Sequence, residues 1–223
     1  MSENSRDTND GKLQGKAKHA LIMAIGMLVL LWRVVIPTQI GVTMGVSVLI
    51  MGMDLLLTLC VIYLSREQFK QAFTRKFTWK DLLKLLLGVL GFLAFCTILV
   101  QGNIMPLLGL ESSAASDWVG KEYLSLFPVG GIFSMVIAAP LWEETVFRMA
   151  GKNLFSNRFV YVLIPSLLFA FIHTVNFSIA DNLYFFVSGI VFSLIYLITD
   201  DIRISMGVHL LTNLLGAILF FAS

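Results

Sequence analysis

Apolar runs and short polar links alternate along the chain, and the runs have the length a lipid bilayer demands. They extend from Ala20 to Ile36, Ile40 to Leu64, Leu82 to Val100, Val129 to Ala150, about Tyr161 to Ala180, Asn182 to Thr199 and Ile202 to Ala222. A spanning helix needs about 20 predominantly apolar residues. The pattern therefore predicts an all-α fold, a polytopic transmembrane helical bundle of about seven spans, or eight with a re-entrant segment. Three regions follow: a mobile cytoplasmic tail at 1–19, N-terminal spans at 20–128, and a membrane core at 129–223.

The links carry further expectations. Gly41 and Gly45 have the spacing that lets two membrane helices approach closely. Between Ser65 and Asp81 the chain turns basic, with Phe69, Phe73 and Phe77 recurring every four residues, which predicts an amphipathic helix in the membrane plane over 65–81. The stretch 101–128, broken by Pro106, Gly109, Gly120 and Pro128, reads as a loop that dips partly into the bilayer. The fifth span carries Pro165 in its first turns, and a start near that proline places His173 at a depth similar to that of the acidic residues described below. Lys and Arg gather in alternate links, which predicts a cytoplasmic N-terminus and an external C-terminus; the short loops suggest a bacterial cell membrane.

Composition narrows the class. The 223 residues are 57% hydrophobic and 13% charged, with a mean hydropathy of +0.85, a balance that excludes a soluble domain. The net charge of +2 comes with no long basic face and implies no nucleic-acid partner. Cys60 and Cys96 both fall inside spans and read as small apolar packing residues.

Against this background Glu143, Glu144 and Arg148 stand out inside the fourth run. Ionisable groups at bilayer depth cost about 2.5–3.5 kcal/mol each on insertion scales, and they mark functional sites facing a protein interior. At helical spacing Glu144 and Arg148 share a face and can pair, whereas Glu143 points away from that pair and is left to act as a base. Asp54, near the centre of the second run, reads as a carboxylate bonded to neighbouring helices, with a functional role as the alternative. His173 and His209 are the two intramembrane histidines, and Asn213 lies one turn beyond His209 on the same face. Together these residues predict one shared polar site.

The motifs Glu143-Glu144-x-x-x-Arg148, Phe169-x-x-x-His173 and His209-x-x-x-Asn213, in that order and on separate spans, resemble the CAAX-protease and bacteriocin-processing (CPBP, or Abi) membrane proteins. The resemblance covers about Val129 to the C-terminus. It implies an intramembrane endopeptidase acting on a membrane-associated or lipidated peptide or protein. Glu143 would activate water with His173, His209 and Asn213 would hold the oxyanion, and Glu144 with Arg148 would keep the acidic helix in register. No cofactor is required by that mechanism. An alternative adds Zn²⁺ held by Glu143, His173 and His209, with one position open for water. Two other classes compete: a non-catalytic immunity or scaffold protein that binds a peptide or membrane partner, and a proton-coupled transporter. The transporter is disfavoured because the halves show no inverted repeat.

Overall fold

Every described element is a helix, because a chain this apolar can satisfy its backbone in lipid only within each segment or in a closed barrel. The computed structural model describes residues 3–110, 122–173 and 178–222. The main helices are α1 (Glu3–Ile40), α2 (Met44–Leu64), α3 (Arg66–Thr74), α4 (Trp79–Leu107), α5 (Pro128–Leu154), α6 (Arg158–His173), α7 (Ile179–Thr199) and α8 (Ile202–Ala222). Five of them, α2, α4, α5, α7 and α8, are long and apolar enough to cross a membrane by length and composition. Helix α6 is a shorter apolar helix, and the expected first span lies within α1.

Several boundaries differ from expectation. The stretch read as a tail extends α1 back to Glu3. Once a helix is nucleated each added residue needs only one more hydrogen bond, and Lys12-Leu13-Gln14 and Lys16-Ala17-Lys18 are good helix formers. Gly41 does not mediate helix approach; its φ of +79° ends α1, and a Cβ there or at Gly45 would meet no other helix. Thr43 then caps α2 by accepting from the Val46 amide at 3.2 Å. The helix expected to lie in the membrane plane stops at Thr74, so Phe77 leaves the row of Phe69 and Phe73. The cause lies downstream, where Thr78 and Asp81 form a capping box that starts α4. The expected loop over 101–128 begins later, since α4 runs to Leu107 and residues 122–126 are helical; its middle, 111–121, lies outside the described residues. The fifth span starts at Arg158, ahead of Pro165, because the Asn157 side chain caps it by accepting from the Phe159 amide at 2.9 Å. It ends at His173, and the expected continuation at 174–177 lies outside the described residues.

Helix α5 is the centre of the bundle: 67% of its apolar window is buried, against 17% for α4. Trp142, Val146 and Phe147 pack with Ile22 of α1, Leu57 and Val61 of α2, and Phe169 of α6. Cys96 packs with Phe92, Phe192, Ile204 and Val208, and both cysteines are free thiols.

Candidate active site

Helix α5 delivers its two carboxylates through an irregular stretch. Pro140 has no N–H to give the carbonyl of Val136, and widened π turns flank it at Phe133–Ala138 and Glu144–Ala150. Glu143 and Glu144 are both buried, at 2% and 0% exposure, and adjacent positions on a helix separate their carboxylates around its circumference. His173 comes from the last residue of α6 and His209 from the second turn of α8. Three helices thus bring an acid and two imidazoles together.

The rings are held by their far nitrogens. His173 Nδ1 lies 2.7 Å from the Phe169 carbonyl, to which it can only donate, so in the neutral ring Nε2 carries the lone pair. That Nε2 stands 3.7 Å from Glu143 Oε2. His209 Nδ1 lies 3.0 Å from Glu144 Oε1, and its Nε2 stands 3.8 Å from the same Glu143 oxygen. Both gaps exceed a direct hydrogen bond. Aromatic shelves complete the setting: His173 lies between Phe169 at 4.2 Å and Phe185 at 4.7 Å, and His209 stacks on Phe192 at 4.4 Å.

Glu144 serves as a hub. Its Oε2 accepts from the Ser205 hydroxyl at 2.5 Å and faces Arg148 Nε at 3.6 Å, while its Oε1 meets His209. The expected Glu144 and Arg148 pair is therefore present as a loose contact, and the carboxylate's hydrogen bonds go to α8. Arg148, fully buried, donates from Nη2 to the Gly189 carbonyl at 3.3 Å and lies over the rings of Phe169 and Phe192 at 4.6 and 5.2 Å. Asn213 donates to the Met135 carbonyl at 2.8 Å, tying α8 to α5 with one of its two N–H groups. Asp54 is fully buried on α2.

The same atoms bear on the zinc alternative. Tetrahedral bonds of about 2.0–2.1 Å need neighbouring donors roughly 3.3 Å apart, and Glu143 Oε2 is 3.7 and 3.8 Å from the two ring nitrogens. Among the described residues no group of three His, Cys, Asp or Glu side chains is arranged to hold a metal ion. The donor set as arranged does not fit a tetrahedral zinc ion.

All three motifs fall within one matched segment. Residues 125–215 match the family of type II CAAX prenyl endopeptidase Rce1-like proteins. The resemblance read from the motifs is thereby upheld, and the Rce1-like segment covers α5 to most of α8. The UPF0177 protein YajF of Lactococcus lactis subsp. lactis (strain IL1403) is 29% identical over 130 residues, which are 58% of this chain and 63% of that relative. The matched part thus spans less than two thirds of the relative's length. No solved structure matches the chain.

Sequence reasoning missed Ser205, Phe185, Phe192 and Gly189. Ser205 had a usable signal, since it lies four residues before His209 and so on the same face. The aromatic shelves had none, because Phe in an apolar span looks like any other packing residue.

Proposed function

We propose that the protein is an intramembrane endopeptidase of glutamate type. The observation that carries this reading is the convergence of the Glu143 carboxylate with the Nε2 atoms of His173 and His209, each ring held from behind. Gaps of 3.7 and 3.8 Å suit a water molecule that bridges the three groups. Glu143 takes a proton from that water as its oxygen attacks the scissile carbonyl carbon, and His173 Nε2 orients the water by accepting its other hydrogen. The tetrahedral oxyanion forms as the C–O bond is made. Glu143 then returns the proton to the leaving nitrogen as the C–N bond breaks.

His209 stabilises the oxyanion from Nε2 only as an imidazolium, since its Nδ1 proton is committed to Glu144. The second N–H of Asn213 is the other donor. Such donors are worth about 2.7–4 kcal/mol each in acyl-transfer precedents. The substrate is a peptide presented from the bilayer, membrane-inserted or carrying a lipidated cysteine near its C-terminus. We assign the end carrying the Ser65–Asp81 and Gly151–Arg158 links to the cytoplasm, on the basis of their Lys and Arg content.

The test is cleavage of fluorogenic peptides in proteoliposomes, one set membrane-inserted and one carrying a farnesylated C-terminal cysteine. Glu143→Gln is expected to lose at least about a hundredfold in turnover, the low end for general acid–base catalysis, with an unchanged melting temperature. Equal turnover in the variant sinks the mechanism. No cleavage by the wild type with either peptide, together with retained peptide binding, would favour a non-catalytic immunity or scaffold protein.

A further inference from the structure

Several hydroxyls inside the helices of this protein turn back on their own backbone. Thr58, Thr145, Ser166, Thr199 and Thr212 each donate to the carbonyl four residues earlier, at 2.6–3.0 Å. That is the default for a hydroxyl in an apolar helix, where no water competes. Ser205 departs from it. The side chain is fully buried, and its hydroxyl crosses from α8 to Glu144 Oε2 on α5 at 2.5 Å. A single hydroxyl proton serves one short bond, so the Phe192 carbonyl at 3.4 Å is a secondary neighbour.

The carboxylate so engaged has two faces. With Oε2 held by Ser205, Oε1 is aimed at His209 Nδ1, 3.0 Å away and one turn further along α8. Arg148 Nε, at 3.6 Å and without a hydrogen bond of its own, offers the same carboxylate a competing orientation. Without the serine hydroxyl, Glu144 would turn toward the guanidinium, and the His209 ring would lose the acceptor that fixes which nitrogen carries its proton.

We propose that Ser205 is a positioning residue, which holds Glu144 so that His209 keeps its proton on Nδ1 and presents Nε2 to Glu143. The catalytic meaning of that placement rests on the endopeptidase reading, whereas the hydrogen-bond relay itself does not. Ser205 touches no substrate in this scheme and acts only through Glu144 and His209.

The experiment is ¹⁵N NMR of the histidine side chains in the full-length protein in detergent at alkaline pH, with His209 assigned by comparison with His19→Gln and His173→Gln. Wild type is expected to show His209 protonated on Nδ1. Ser205→Ala should shift it to the Nε2–H form or a mixture, Ser205→Thr should restore the wild-type signals, and Ser205→Ala should add nothing in a Glu144→Gln background. A purely structural serine would move melting temperature without moving the tautomer. Should Ser205→Ala fail to fold, the wild-type spectrum and Ser205→Cys, a weaker donor, decide the matter. An Nε2–H tautomer in wild type, or an unmoved tautomer in Ser205→Ala or Ser205→Cys, overturns the proposal. If peptide cleavage is established, Ser205→Ala should lower kcat about tenfold at unchanged KM, as when the partner of a functional imidazole is removed elsewhere. Loss of cleavage in Glu143→Gln tests the endopeptidase reading alone, because that variant leaves the Ser205 relay intact.

Discussion

Arg148 joins the two halves of the site by touching neither reacting group. Its guanidinium lies over Phe169, which stacks on His173, and over Phe192, which carries His209, while its Nη2 reaches the Gly189 carbonyl. Arg148→Ala removes the guanidinium that faces Glu144 and leaves a buried carboxylate without it. Breaking a fully buried pair in this way costs about 3–5 kcal/mol, so the variant should show less folded protein and a clearly lower melting temperature in detergent. A melting temperature equal to wild type would remove Arg148 from this structural role. At this scale the sequence was informative where chemistry is rare in lipid: Glu143, Glu144, Arg148, His173, His209 and Asn213 are all conspicuous there, and five of them meet within one network. Asn213 joins α8 to α5 from one turn beyond. The partners of those groups were not legible, because a carbonyl or an aromatic ring becomes a partner only through tertiary placement.

Between elements, the decisive contact is the crossing of α6 and α7. A Cβ at Gly189 would come within 2.9 Å of the Ser166 backbone, and Ser166 also faces Ser193 at 3.5 Å. Small residues on both sides let the helices approach until their backbones nearly touch. Gly189→Ala should therefore cost about 1–3 kcal/mol through forced separation, and it should also move the carbonyl that Arg148 holds. Thermal unfolding in detergent measures the first effect and cleavage of the same fluorogenic peptides the second; an unchanged melting temperature would mean the crossing gives way freely. Element identity followed from run length, yet element ends did not. Apolar periodicity is silent about the polar residues that stop helices, and here Gly41, Thr78 and Asn157 set the boundaries that hydropathy placed elsewhere.

Across the molecule, a polar clasp ties together one end of the bundle. Asp201, at 4% exposure, accepts from Arg75 at 2.5 Å and from Arg203 at 2.9 and 3.0 Å, and Arg203 in turn donates to the Arg75 carbonyl at 2.7 Å. The clasp ties the joint between α3 and α4 to the start of α8, the helix that carries His209. Asp201→Asn should cost about 1–2 kcal/mol, at the low end for hydrogen bonds to charged groups because Arg75 is half-exposed. Its signature would be faster amide exchange in the first turns of α8, and unaltered exchange there would show that packing alone anchors the helix. The bundle class was evident from composition, whereas this clasp joins residues 126 positions apart in sequence and leaves no periodic trace. The meeting of Glu143 Oε2 with the Nε2 atoms of His173 and His209 between α5, α6 and α8 has a consequence for ligand design. A compound that offers only a ketone or an ether to that notch brings no hydrogen to the Glu143 carboxylate or the His173 lone pair, whereas a gem-diol or silanediol brings paired O–H groups to them. Ligands for this notch should accordingly be sought among hydrated-carbonyl mimics, and their affinity should collapse once either hydroxyl is methylated.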